Sequence, residues 1–214
     1  MFEGELLVNC TRKGDGQESW GYVTVRPKAH MFWWFYKSPY RTQGLTRSRP
    51  IILWLQGGPG GSGAGVGNFV EIGPLDVCLK PRNSTWLKKA DLLFVDNPVG
   101  TGYSYVEDPK LLVKTDDENA ADLTTLLIQV FNTAKDENMQ NRPLYIVGES
   151  YGGKFAVTLA LSALKAIKKG TLKLKLRGVA LGNAWMSPED YVSSWGPLLS
   201  DVSRLDNNGL LESN

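Results

Sequence analysis

Histidine is nearly absent from this sequence: His30 is the single one in 214 residues. Chemistry that needs an imidazole beside another functional group therefore has one candidate position. Cysteine is also sparse. Cys10 and Cys78 cannot make a disulfide framework, and neither has a metal-ligand neighbour at useful spacing, so no metal or cofactor is expected and the redox compartment stays open. Excess charge is missing too, with 24 Lys and Arg against 22 Asp and Glu. That balance gives no field to draw nucleic acid or an anionic membrane, and neither is expected as a partner. The Lys-rich stretch from Lys165 to Lys175 reads as a helix end followed by a turn, where cations favour the last carbonyls. Long apolar runs are missing: Ile51 to Leu55 and Leu92 to Val95 are far shorter than a membrane span. Met1 to Asn9 contains Glu3 and Glu5 and lacks a basic start and an apolar middle, so no secretory signal is visible. On that reading either the start was lost or the product stays inside.

What is present suits a globular chain. An apolar share of 42% with 21% charged residues is enough to bury one core. No repeat is visible, and the glycine-rich run from Gly57 to Gly67 reads as a loop. Gly21 to Val25 alternates like a strand and Met31 to Tyr36 is an aromatic run suited to a second, which predicts an N-terminal hairpin; Ser38 to Pro50 holds the turn residues that follow. Ile51 to Leu55, Leu92 to Val95, Leu144 to Val147 and Gly178 to Leu181 read as buried parallel strands. Thr115 to Glu118 has capping-box spacing ahead of Leu123, Leu127, Val130 and Phe131 at helical intervals. Gly153 to Lys169 predicts a second helix, closed by Gly170. Strands alternating with helices imply an α/β fold with a mostly parallel sheet and its ligands at the strands' carboxyl ends. The loops after Leu55, Asp96 and Gly148 should share that edge. Met186 and the tryptophans look like core.

Gly148-Glu149-Ser150-Tyr151-Gly152 is a G-x-S-x-G sequence between a strand and a helix. In that setting a serine is held on a strained turn with its hydroxyl over the sheet edge, which suits a nucleophile. Such a nucleophile needs amide donors for the developing oxyanion, one from the next residue and one from an earlier glycine-rich loop; Tyr151 and Gly58 fit these places. A phosphate-binding reading of the loop at Gln56 to Gly60 fails for want of a Gly-Lys-Ser/Thr ending. The G-x-G-x-x-G at Gly58 to Gly63 leads into no clear helix.

Three motifs in order, Trp54-Leu55-Gln56-Gly57-Gly58-Pro59-Gly60, Phe94 to Ser104 with Asp96-Asn97-Pro98-Val99-Gly100, and Gly148 to Gly153, resemble serine carboxypeptidases. Ser19 to Val23 and Val25 to His30 resemble the retinoid-inducible branch and its plant relatives. The resemblance covers 19–214 as a partial α/β-hydrolase domain and leaves 1–18 unmatched. It implies an α/β-hydrolase fold with its C-terminal part missing, and release of C-terminal residues from peptides through an acyl-enzyme on Ser150. It also implies a grip on the peptide's terminal carboxylate by Gln56, Glu71 and Glu149, and a secretory-pathway location that is extracellular, vacuolar or lysosomal. A carboxylate held by carboxyl groups requires a shared proton, so acidic pH should favour binding. The triplets Asn9-Cys10-Thr11 and Asn83-Ser84-Thr85 fit the N-glycosylation pattern, which matters only in that pathway.

Gln56 stands where the family carries asparagine, and Gly61-Ser62-Gly63 lacks the cysteine common there. In the family the triad runs Ser, Asp, His, the last two well downstream of the nucleophile. His30 lies far upstream and reads as structural, Asp96 as structural, and Asp201 and Asp206 as surface or capping residues. The chain alone is therefore expected to have negligible peptidase activity, and a sheet cut short near Gly178 to expose an edge that favours association. An acyltransferase on the same scaffold and a non-catalytic peptide-binding protein are the alternatives.

Overall fold

A computed structural model describes residues 18–40, 49–133 and 139–213. Cys10, the triplet at Asn9 and most of the turn between Ser38 and Pro50 lie outside the described residues. The chain divides into two compact units, Met1–Ala184 and Trp185–Asn214.

In the first unit, Glu18–Arg26 (β1), with its alternating Val23 and Val25, and the aromatic-rich Ala29–Tyr36 (β2) pair antiparallel with Val23 opposite Met31. Ile51–Leu55 (β3), Asp91–Val95 (β4), Pro143–Glu149 (β6) and Lys175–Gly182 (β7) form the parallel part, while Tyr105–Val106 (β5) pairs with the start of β2. The strand order is β1-β2-β4-β3-β6-β7, and β2 meets β4 antiparallel. Apolar side chains occupy both faces of β3, β4 and β6 because both faces are covered. Leu53, Leu93 and Ile146 pack on the side of Asp116–Asn132 (α1) and Gly152–Lys168 (α2), whereas Trp54, Phe94 and Val147 pack with Ile72 and Leu87.

Local signals set the helix ends. The Thr115 hydroxyl accepts from Glu118 N at 3.2 Å, which satisfies a donor that the first turn of α1 leaves open, and the Glu118 carboxylate reaches back to accept from Lys114 N, ahead of the cap, at 2.7 Å. α2 ends with Lys165 and Lys168 in its last turn and Gly170 at φ +73°, as the lysines and glycine predict.

Two expectations are corrected. The glycine-rich run is a loop only as far as Ser62, since Gly63–Ile72 is a helix of π type, with Gly67 N bonded to Ser62 O and Gly73 N to Asn68 O. Ser62 Oγ caps it by accepting from Gly65 N at 2.7 Å. Glycine content hid a helix whose glycines serve close packing: a Cβ on Gly67 would lie 2.4 Å from the Trp54 indole. The tryptophans also divide. Trp33 and Trp54 are core, but Trp86, Trp185, Trp195 and Met186 are exposed.

The second unit holds Pro188–Asp201 (α3) and Asn207–Ser213 (α4). Asp206 caps α4, its carboxylate accepting from Gly209 N at 2.8 Å. Among the described residues no helix is long and apolar enough to cross a membrane.

One buried ion pair ties the strands' entry edge together. Arg142 Nη1 meets Asp91 Oδ2 at 2.7 Å, Arg142 Nε donates to Arg49 O, and Asp91 Oδ1 accepts from Ser38 N. Removing one partner of such a pair strands a buried charge. Arg142→Met is therefore expected to cost about 3 to 5 kcal/mol in urea unfolding, and adding Asp91→Leu should recover much of the loss.

Candidate active site

The sheet's carboxyl edge is built by β3, β4 and β6, and each contributes the loop that follows it. β6 ends at Glu149 and α2 begins at Gly152, which leaves Ser150 and Tyr151 to make the whole turn. Ser150 has φ +54°, a left-handed conformation that a residue with a side chain holds at a cost on the order of 1 to 3 kcal/mol. Its amide donates to Gly182 O at 2.9 Å, and its carbonyl accepts from Gly153 N at 3.0 Å. The flanking glycines are dictated by backbone crowding: a Cβ on Gly148 would fall 2.1 Å from Gly152 O, and one on Gly152 would fall 2.1 Å from Leu55 O.

The loop after β3 lies directly against this elbow. A Cβ on Gly57 would be 2.8 Å from the Ser150 Cβ and 3.0 Å from Tyr151 N. Gly61 N donates to Gly57 O at 2.9 Å, which closes the loop around Gly58 at φ +121°. The Gly57-Gly58 backbone and Tyr151 N therefore converge beside Ser150.

The loop after β4 is held by Asp96, which is fully buried. Its carboxylate accepts from Ser62 Oγ at 2.6 Å and Ala64 N at 2.9 Å on one oxygen, and from Tyr103 N at 2.8 Å on the other. Asp96 thus fastens the start of the Gly63–Ile72 helix to the 97–104 loop, in keeping with the structural role the sequence suggests.

Gln56, Glu71 and Glu149, which are far apart in sequence, are brought together. Gln56 Nε2 donates to Glu71 Oε1 at 3.1 Å and to Glu149 Oε2 at 3.0 Å. Its Oε1 accepts from Trp54 Nε1 at 2.8 Å, so the buried amide is fixed in orientation with both of its N–H groups used. Burial raises the pKa of Glu71; the hydrogen bond from Gln56 opposes that rise and the Glu149 charge adds to it. The site can therefore take up a proton more readily than a solvated glutamate. Trp54 was missed as a site residue because a tryptophan on a strand reads as core. Only its two-residue spacing from Gln56 signals a shared face.

His30 is not assembled with Ser150. His30 sits at the start of β2, with Nδ1 3.0 Å from Thr24 Oγ1, Nε2 3.5 Å from Glu107 Oε1, and its ring stacked on Tyr105 at 4.7 Å. β2 is three strands from β6, a separation of roughly 14 Å at normal strand spacing, so this imidazole cannot reach the elbow. Asp201 belongs to α3, and Asp206 is spent on α4.

A cavity of about 390 Å³ opens beside Tyr151, lined in part by Pro59, Pro98, Asp116 and Phe155. Lys154 Nζ pairs with Asp116 Oδ2 at 3.2 Å and lies 4.8 Å above the Tyr151 ring. The sequence showed Asp116 only as part of a helix start, because nothing local announces that the first turns of α1 and α2 face each other.

Comparison with known proteins identifies the family and the fold. The family model described as serine carboxypeptidase matches residues 10–213. Serine carboxypeptidase-like 51 of Arabidopsis thaliana is 62% identical over 220 residues, covering 98% of this chain and 47% of the relative. The retinoid-inducible serine carboxypeptidase of Mus musculus is 52% identical over 201 residues, covering 94% of this chain and 44% of the relative. The crystal structure of Kex1(delta)p, a prohormone-processing carboxypeptidase from Saccharomyces cerevisiae, superposes with a TM-score of 0.78 at 25% identity, covering 90% of this chain and 44% of that one. The chain spans under half the length of these relatives. With an α/β-hydrolase sheet, a serine elbow at its carboxyl edge and a family match along nearly all of its length, the chain belongs to the serine carboxypeptidase family of hydrolases.

Proposed function

We propose that these residues form the nucleophile and carboxylate-binding half of a serine-type carboxypeptidase site. The observation that carries this reading is Gln56 bridging Glu71 and Glu149 on the loop that touches the Ser150 elbow. Ser150 Oγ attacks the carbonyl of the last peptide bond, the amides of Gly58 and Tyr151 receive the oxyanion, the terminal amino acid leaves, and water releases the acyl group. The departing residue's carboxylate lies against Gln56, Glu71 and Glu149. Both Gln56 N–H groups are already engaged, so the incoming carboxylate is held through a proton on the glutamate pair. Such a site works best in an acidic compartment of the secretory pathway, vacuolar or lysosomal, where a glycoprotein is at home.

Serine attack needs a base, and none of the 214 residues brings an imidazole to Ser150. For this stretch taken alone, that observation favours binding of peptide C-termini without turnover. A fluorophosphonate probe is expected to leave the isolated 214-residue chain unlabelled. Labelling at Ser150 would show that a base is already present. In the protein made by its own cells, Ser150→Ala is expected to lower kcat about 10⁴-fold or more with a blocked dipeptide, since the members of such a site act as a unit. Wild-type rates in the variant would end the assignment.

The sign of the pH dependence follows from Glu71. Its raised pKa means the proton is bound as pH falls through a value above that of a free glutamate. Below that value the site accepts a carboxylate, and above it two negative charges face a third. KM for a free C-terminus is expected to be lowest on the acid side and to climb with pH. Glu71→Gln, which donates without titrating, should flatten the climb; a KM indifferent to pH in the parent would contradict the shared proton.

A further inference from the structure

The triplet Asn83-Ser84-Thr85 is unused by the chemistry above, and its three residues have different surroundings. Thr85 is buried and has a structural role: its hydroxyl donates to Ile72 O at 3.1 Å and accepts from Leu87 N at 3.1 Å. Thr85 N also donates to Arg82 O at 3.4 Å, which puts Asn83 and Ser84 on the two corners of a turn. Both are exposed, and the Asn83 side-chain amide forms no hydrogen bond among the described residues. The packing of this turn therefore explains the threonine and uses the carbonyl of Asn83, which accepts from Lys88 Nζ, but gives the asparagine side chain no structural task.

Beside Asn83 lies an open groove of about 410 Å³, walled by Ile52, Thr85, Trp86, Lys88 and Lys89. Trp86 stands edge-on to Trp54 at 5.8 Å and keeps 40% of its surface exposed. Ile52 is the second residue of β3, and Arg49 reaches Lys88 O just before that strand. The groove thus lies toward the edge from which the parallel strands enter, several residues down the sheet from Ser150.

We propose that Asn83 is an N-glycosylation site and that the innermost N-acetylglucosamine rests in this groove against Trp86. The inference rests on the secretory-pathway reading above. In the transfer, Asn83 Nδ2 forms a bond to C1 of the reducing-end sugar of a polyprenyl-diphosphate oligosaccharide. The bond from C1 to the diphosphate oxygen breaks, the lipid diphosphate leaves with the electron pair, and the amide gives up one proton to the transferase. The sugar's apolar face covers an indole that otherwise faces water, and its hydroxyl groups meet Lys89. Placed there, the glycan leaves the nucleophile's edge open.

The test uses protein purified from its own cells. Digestion with a peptide-N-glycosidase in heavy-oxygen water is expected to convert residue 83 to labelled aspartate in most molecules, and Asn83→Gln should remove one glycan's worth of mass. An unmodified Asn83 peptide overturns the proposal. If the protein then fractionates with secretory compartments, the location stands and the site alone fails; if it fractionates with cytosol, both fail. For docking, Trp86→Ala on the glycosylated protein is expected to make release of the glycan by an endoglycosidase several-fold faster. Glycan removal from the parent should shift its tryptophan emission to the red. Equal release rates with an unshifted spectrum overturn the seating against Trp86.

Discussion

The candidate site depends on how closely two backbones approach. The loop leaving β3 and the turn leaving β6 are in van der Waals contact, and no side chain fits between Gly57 and Ser150 or between Gly152 and Leu55. That contact is possible because β3 and β6 are parallel neighbours in register, Leu55 beside Gly148, so their carboxyl ends stop at the same level. Given this contact, a serine in a left-handed conformation, two converging stretches of backbone amide and a buried glutamine all follow within a few residues. Asp96 extends the same arrangement to a third loop by taking three hydrogen bonds from both sides of the edge.

The carboxyl cluster beside it is organised by a different interaction, a single amide group shared by two carboxyl groups. Gln56 is oriented by Trp54 from behind and offers its two N–H groups forward to Glu71 and Glu149. A neutral amide satisfies both glutamates without neutralising either. The cluster is therefore complete as a hydrogen-bonded structure yet unfavourable as a pair of charges, which is the condition for taking up a proton when an anion arrives. The glutamine in place of the family's asparagine keeps this bridging geometry within hydrogen-bond range.

Much of this was legible in the sequence, for identifiable reasons. Ile51 to Leu55 matched its strand because a short apolar run bounded by Pro50 on one side and Gln56-Gly57 on the other has few alternatives. The elbow was legible because its glycines are imposed by backbone crowding. The Gly63–Ile72 helix was not, since glycine reads as a loop signal when chosen for close packing over Trp54. The exposure of Trp86, Trp185 and Trp195 was likewise hidden, because residue type reports apolar size and says nothing of which face finds a neighbour. The gathering of Gln56, Glu71 and Glu149 came from family resemblance, as contacts over such separations leave no local pattern.

The proposed sharing of a proton between peptide and glutamates is accessible directly by calorimetry. A blocked peptide with a free C-terminal carboxylate is titrated into the protein at a pH where glutamates are normally ionised, in two buffers of different ionisation enthalpy. A buffer-dependent heat corresponding to uptake of about one proton per peptide is expected, and lost in Glu71→Gln. Identical heats in both buffers for the parent protein would mean that the carboxylate binds without a proton, and would contradict a grip by Glu71 and Glu149.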